Sequence, residues 1–200
     1  MRIGYGFDSH AFKAGVPLVI GGVKIEHRSG LAGHSDGDVL LHAITDALLG
    51  AVSAGDIGTF FPPSDPQWKG ADSTIFLKTA VEEIATAGYK ITNIDTVLIL
   101  SQPKIVPLAG DIRARVADLL GIKPNQVGIK AKTPEGLNQD GVAVAHVTVL
   151  LEEIKVNDGL KSMSAEAEMD MNDVVESLVN GVRDTRALGR KRTFDTDDLT

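Results

Sequence analysis

Two histidines, two aspartates and a serine crowd the ten residues Gly33-His34-Ser35-Asp36-Gly37-Asp38-Val39-Leu40-Leu41-His42. The chain has no cysteine, so any transition-metal site must be built from His, Asp and Glu. A second source of such groups is Asp8-Ser9-His10, whose two donors lie two residues apart and share a face if the segment is a strand. Asp8, His10 and His42 together make two neutral imidazoles and a carboxylate. That is a zinc set, and it leaves a fourth position for a reacting oxygen. Glu135, in a polar loop, suits a hard ion such as Mg²⁺ with substrate phosphates as co-ligands. Two cations beside one diphosphate neutralise charge at the attacked phosphorus and at the leaving group. The sequence shows no Ser-His-Asp or Cys-His nucleophile pattern, no Walker loop and no dinucleotide fingerprint. The residues therefore point to metal-assisted phosphoryl chemistry whose nucleophile is water or part of the substrate. Each piece also has a plainer reading. The first stretch alone is a capped helix with one buried histidine, and Asp-x-His alone is a polar strand end.

The elements that must position these groups are legible in outline. Residues 2–10 alternate: Ile3, Tyr5 and Phe7 point one way, and Gly4, Gly6, Asp8 and His10 the other, as in a strand with space over its glycine face. Leu18–Ile25 reads as a hairpin turning on Gly21-Gly22, and residues 26–32 as a loop. Ser35 followed by Asp38 resembles a capping box for a helix from about Asp36 to Val52, which places His34 and Ser35 at its positive end, where phosphate is favoured. His42 falls at the border of that helix's apolar stripe, with Asp38 and Asp46 a turn away on either side to hold its second ring nitrogen. A proline-stiffened loop spans Gly55 to Pro66. Helices follow at about Ser73–Ala87 and Pro107–Leu120, and strands at Ile94–Leu100, Val127–Lys132 and Val142–Glu152, the last apolar on both faces. Helices alternating with buried strands imply an α/β (α+β sandwich) fold, an open sheet with helices on one face. A partner subunit is the simplest cover for the far face.

Two hundred residues suit one sizeable core. Composition shifts at Lys155, which divides the chain into a domain at 1–154 and a C-terminal extension at 155–200, with a helical stripe between Glu166 and Leu188 and a flexible end. The net charge of −7 argues against nucleic-acid binding. No apolar run approaches the ~20 residues of a membrane span, and the first residues lack the apolar region of a signal peptide, so a cytoplasmic location is expected.

Gly6-Phe7-Asp8-Ser9-His10, the Gly33–His42 stretch, Thr45-Asp46-Ala47-Leu48-Leu49-Gly50, Gly55-Asp56-Ile57-Gly58, Lys69-Gly70-Ala71-Asp72-Ser73, Pro103-Lys104 and Lys130-Ala131 resemble the 2-C-methyl-D-erythritol 2,4-cyclodiphosphate synthase family over residues 1–152. The resemblance implies a homotrimer with sheets facing its axis and active sites between neighbours. It implies a reaction of the non-mevalonate isoprenoid route, in which the 2-phosphate of a cytidine diphosphate ester of methylerythritol closes on the diphosphate and expels CMP. It implies one Zn²⁺ per subunit on Asp8, His10 and His42, and Mg²⁺ or Mn²⁺ on Glu135 with the substrate diphosphate. His34 and Thr133 match transition-state-stabilising positions. Asp8, His10, Ser35, Asp56, Ile57 and Gly58 match contacts to the methylerythritol and phosphate part. Lys104, Ala131, Lys132, Thr133, Pro134 and Glu135 match the cytidine side, supplied by the adjacent subunit.

The chain also departs from the family pattern. Pro63 stands where many members carry Asp, so a sugar contact is lost or moves to Asp65. The usual Phe-x-Gly-Arg segment is missing from the shorter loop at 137–141, leaving Lys132 as the candidate for the positive charge. A metal-dependent phosphohydrolase acting on a nucleotide diphosphate ester is the alternative activity, and a non-catalytic trimeric binding protein the alternative outside enzymes.

Overall fold

A computed structural model describes residues 1–136 and 141–155. The chain divides into two units, Met1–Ile154 and Lys155–Thr200. The expected helix between 166 and 188, and the shortened loop at 137–140, lie outside the described residues.

The first unit is a five-stranded mixed sheet in the order β4-β1-β7-β5-β6, with a separate hairpin. Its strands are β1 (Arg2–Ala14), β4 (Ser29–Leu31), β5 (Tyr89–Ile99), β6 (Val127–Lys132) and β7 (Val142–Glu153), and the hairpin is β2 (Leu18–Ile20) with β3 (Val23–Ile25). Among the described strands, only β5 and β6 run parallel. The helices are α1 (Val39–Ala51), a four-residue α2 (Ile57–Phe60), α3 (Ser73–Thr86) and α4 (Ala109–Leu120). Gly121 ends α4 with φ 64°, the left-handed stop that glycine supplies.

α1 is the hub. Leu40, Leu41, Ile44, Leu48 and Leu49 are fully buried, each worth about 1.5–3 kcal/mol over exposure. The helix lies on β1 and β7 and meets α3 on its other side. Gly4 and Gly6 permit this: a Cβ built on Gly4 would fall 1.8 Å from the Ala47 carbonyl oxygen, and one on Gly6 1.9 Å from that of Ala43. The alternation expected for residues 2–10 is present. The space over its glycine face is filled by backbone of α1 rather than left open.

Several expected boundaries move. β1 runs on to Ala14, and the presumed loop at 26–32 contains β4, paired to the far end of β1 through Phe12 and Leu31. A strand of three residues is too short to display alternation. β5 begins at Tyr89, with a bulge between Ile91 and Asn93 that breaks its periodicity. The proline-rich segment folds into α2 and a 3₁₀ turn at Pro66–Trp68. β7 is not apolar on both faces, since its outer row carries His146 and exposed Thr148. The bare apolar surface lies on β1 instead, where Ile3, Tyr5 and Phe7 are 72%, 61% and 49% exposed. Tyr5 hydrogen-bonds His146 Nδ1 at 2.8 Å, and Phe7 meets the same ring edge-on.

Candidate metal and phosphate site

β1 turns Asp8 and His10 toward α1, and α1 turns His42 toward β1. The result is a three-cornered cluster. Asp8 Oδ2 lies 2.9 Å from His10 Nε2 and 3.0 Å from His42 Nδ1, and the two ring nitrogens are 3.1 Å apart. A tetrahedral ion with bonds of about 2.0–2.1 Å separates its ligand atoms by about 3.3 Å, so the triad fits such an ion within a few tenths of an ångström. Burial alone would raise the Asp8 pKa, but hydrogen bonds and charge from His10 and His42 overcome it and hold the carboxyl well below the usual range. Burial alone would lower the His10 pKa; the hydrogen bond and charge of Asp8, with a hydrogen bond to the Ala32 backbone, turn the shift upward. These mutual shifts describe groups packed to share one positive charge, a proton or a metal ion.

The second nitrogen of His42 is not held by Asp38 or Asp46. His42 Nε2 instead lies 2.9 Å from both Ser35 Oγ and Ser73 Oγ. Asp46 is used elsewhere, its Oδ1 accepting from Ile57 N at 2.8 Å and so fixing the start of α2. Asp38 is the N-cap of α1, which begins at Val39. Fully buried, it accepts from Leu40 N and Leu41 N at 3.1 and 3.0 Å, and from Gly21 N and Gly22 N of the hairpin at 2.9 and 2.7 Å. Burial pushes its pKa up against the Gly22, Leu41 and Gly21 donors, and the Asp36 charge adds to the rise.

Ser35 is therefore not the cap. The positive end of α1 is filled by a carboxylate and is not open to phosphate. A short Asp side chain next to the first turn reaches the N–H groups that Ser35, four residues before Val39, cannot. His34 is exposed on the loop ahead of the cap, its carbonyl accepting from Gly70 N at 2.7 Å.

The segment after α1 forms one wall. Exposed Asp56 caps α2 by accepting from Thr59 N and Oγ1 at 2.8 and 2.7 Å, and these bonds hold its carboxyl below the usual range. Gly58 follows with little around it. Both oxygens of Asp65 accept from Gln67, which occupies the carboxylate proposed to replace the one missing at Pro63. Phe61 stacks on Phe76 of α3 at 4.4 Å and meets Trp68 at 4.9 Å, and Phe76 lies 6.0 Å from the His42 ring. The stiff loop is thus pinned behind the cluster.

The remaining predicted residues lie elsewhere. Pro103, Lys104, Ala131, Lys132, Thr133 and Glu135 line a cavity of about 300 Å³ at the end of β6. Pro134, beside them, is buried. Thr133 donates to the Glu135 carboxylate, and Glu135 and Gly136 are successive residues with φ 48° and 80°, which turns the chain sharply. Register puts Asp8 level with Ala145, Leu98 and Ala131 across the sheet. Both groups of residues are therefore at one end of the sheet, but three strand spacings, about 14 Å, apart. Sequence reasoning missed Asp36 and Ser73 as partners of the metal cluster. Ser73 was visible only as a helix-start residue, and nothing in the spacing of two residues 37 positions apart signals their contact.

A mixed sheet under helices, with a carboxylate and two imidazoles that could hold a metal ion and a pocket carrying Lys104, Lys132 and Glu135 at the same sheet end, defines an α/β protein with a candidate metal site. The chain belongs to the YgbB family, whose pattern matches residues 1–171. It is 66% identical over 152 residues to 2-C-methyl-D-erythritol 2,4-cyclodiphosphate synthase of Koribacter versatilis, covering 76% of this chain and 98% of that one. It is 50% identical over 153 residues to the chloroplastic synthase of Arabidopsis thaliana, covering 75% and 66%. Among solved structures, a 2C-methyl-D-erythritol-2,4-cyclodiphosphate synthase in its CDP-bound form superposes with TM-score 0.72 at 40% identity, covering 76% of this chain and all of that one. A Plasmodium falciparum IspF–CDP complex gives 0.69 at 34%, covering 77% and 97%.

Proposed function

We propose that this protein is a 2-C-methyl-D-erythritol 2,4-cyclodiphosphate synthase, converting 4-diphosphocytidyl-2-C-methyl-D-erythritol 2-phosphate to the cyclic diphosphate and CMP. The convergence of Asp8, His10 and His42 within 3.1 Å of one another carries the reading, in a chain 66% identical to a protein of that name. An oxygen of the substrate's 2-phosphate attacks the β-phosphorus, and the bond from that phosphorus to the bridging oxygen breaks as CMP leaves. No protein nucleophile is needed. The site's task is to hold a flexible chain folded with its two phosphates in line, which is where most of the rate of such a reaction arises.

Asp8, His10 and His42 would hold Zn²⁺, which would supply positive charge beside the reacting phosphates. Glu135 is the proposed ligand for Mg²⁺ or Mn²⁺ accompanying the diphosphate. His34 and Thr133 stabilise charge at the phosphorus. Ser35, Asp56, Ile57 and Gly58 receive the methylerythritol end, and Lys104, Ala131, Lys132, Thr133 and Pro134 the cytidine end. The CDP carried by two of the structural relatives supports a nucleotide pocket.

A homotrimer accounts for two observations together. It covers the exposed Ile3-Tyr5-Phe7 face, and it lets the cavity of one subunit meet the metal cluster of the next. We assign catalysis to residues 1–154 and the compartment to the cytoplasm; no helix among the described residues is long and apolar enough to cross a membrane, and the Arabidopsis relative is named as chloroplastic.

The test is incubation with the substrate, Zn²⁺ and Mg²⁺, followed by ³¹P NMR. Cyclic diphosphate with CMP is expected, and His42→Ala should abolish both along with zinc binding. An open-chain phosphate product would instead establish the phosphohydrolase.

A further inference from the structure

The half of His42 that faces away from the metal cluster has a fixed proton arrangement. Its Nε2 is 2.9 Å from Ser73 Oγ and 2.9 Å from Ser35 Oγ. Ser73 is fully buried, and its hydroxyl donates to Asp36 Oδ1. That carboxylate also accepts from Ser73 N and from Asp38 N, each at 3.2 Å. An ionised carboxylate can only accept, and a serine hydroxyl has a single proton. With that proton committed to Asp36, Ser73 Oγ can only accept from His42. With a metal on Nδ1, the ring proton of His42 sits on Nε2, where Ser73 Oγ accepts it. Nδ1 is the nitrogen that faces Asp8 Oδ2 and His10 Nε2 at 3.0 and 3.1 Å.

We propose that Asp36 and Ser73 are a positioning pair, which holds the Nε2–H of His42 and so presents Nδ1 as the metal-binding nitrogen. The inference rests on the zinc site of the proposed function, and its tests read metal binding and the Nε2 proton rather than turnover. A histidine ligand whose remote nitrogen is held by a serine backed by a carboxylate is oriented and made a better donor. The arrangement has a second consequence, for Ser35. Ser35 Oγ accepts from the same Nε2–H, and its separation of 3.4 Å from Ser73 Oγ is beyond a good O–H···O bond. The Ser35 proton is therefore left to donate to an oxygen of a bound phosphate. One carboxylate thus orders three groups in a row: the Ser73 proton inward, the His42 proton outward to both serines, and the Ser35 proton toward the ligand.

Asp36 also anchors the first N–H of α3, so a purely structural role must be separated from the positioning role. Asp36→Asn does this. Its amide keeps the size of the carboxylate and can turn an N–H toward Ser73 Oγ, releasing the Ser73 proton toward His42 Nε2, where it opposes the Nε2–H of the metal-bound ring. In the zinc-loaded full-length protein, long-range ¹H–¹⁵N correlation should show zinc on His42 Nδ1 and a slowly exchanging proton on Nε2 in the wild type, and faster exchange of that proton in Asp36→Asn. Competition with a chromophoric chelator should show zinc affinity reduced about 10–100-fold in Asp36→Asn and about tenfold in Ser73→Ala. Ser73→Thr, which retains the hydroxyl, should recover most of the loss. Zinc bound through Nε2 of His42 in the wild type would overturn the proposal even if no variant folds. Zinc affinity within twofold of wild type in both Asp36→Asn and Ser73→Ala would overturn it as well. A protein that binds zinc as described yet forms no cyclic diphosphate would refute the enzymatic reading and leave this one standing.

Discussion

Gly6→Ala is the sharpest test of how the fold sets the metal site. A Cβ at residue 6 would sit 1.9 Å from the Ala43 carbonyl oxygen and 2.8 Å from Ala47 N, both backbone atoms of α1. No side chain can swing aside. To bring the first distance to 3.0 Å, the shortest a real Cβ tolerates, α1 and β1 must separate by about 1.1 Å. Asp8 and His10 are on β1 and His42 is on α1, one residue before Ala43, so the same displacement opens the metal cluster. Metal sites hold ligand distances to about ±0.2 Å, and the shift exceeds that several-fold. Overpacking of this kind costs about 1–3 kcal/mol. The expected outcome is a denaturation free energy lower by that amount in the zinc-free protein, with zinc affinity reduced at least tenfold. Gly50→Ala is the control: it lies in the same helix with nothing within 4 Å of a built Cβ, and it should be neutral or stabilise by up to about 1 kcal/mol. Urea titration and chelator competition measure both variants. If Gly6→Ala retains wild-type zinc affinity, helix-to-strand contact does not set the ligand spacing, and the reasoning fails.

Three further outcomes follow from the same geometry. Asp38→Ala strands four backbone donors, two at the start of α1 and two in the hairpin turn, and should lower stability by about 3 kcal/mol or more in denaturant titration; a loss below 1 kcal/mol would mean that water replaces the carboxylate. The raised His10 pKa means that the folded zinc-free protein binds that proton more tightly than the unfolded chain. The resulting stability is fully present below the unfolded value of about 6.5 and is lost as pH rises through the folded value, so zinc-free urea midpoints should fall from pH 6 to 8 while zinc affinity rises, and a flat zinc-free profile would contradict the assignment. Ile3→Glu places a charge on the bare sheet face and should yield monomers in sedimentation experiments with turnover lost, whereas an unchanged sedimentation coefficient would rule that face out as the interface.

How much of this could be read from the chain alone depended on whether the signal was local. The β1 alternation, the Gly21-Gly22 turn and the apolar stripe of α1 each sit within a few residues, and their physics is complete at that range. So is the direction of Asp8 and His10, because a strand's period of two fixes it. The convergence of His42 with that pair was inferred from ligand chemistry, and its geometric cause, the two glycines that let α1 lie on β1, was visible only as open space. The errors share one origin. Ser35, Asp38 and Asp46 were each given a partner nearby in sequence, whereas Ser35 bonds a ring one helix turn inside α1, Asp38 the hairpin, and Asp46 the start of α2. A polar residue buried at the junction of three elements has no periodic signature, and the choice among its possible partners is made by packing.

That choice explains why the stretch from His34 to His42 is so polar in a region otherwise devoted to core. Burying α1 nearly all round leaves its first turn, the hairpin turn and the start of α3 without water to satisfy their N–H groups. Asp38 supplies the first two and Asp36 the third. Once two carboxylates are committed there as acceptors, hydroxyl protons near them must point inward, and the only group left to give a proton back is the Nε2–H of His42. The same hydrogen-bond accounting that lets the hub helix be buried therefore holds the Nε2 side of its one histidine and turns Nδ1 toward Asp8. Fold and ligand geometry are here a single requirement, which is why variants of Asp36 should show their effect in metal affinity before they show it in stability.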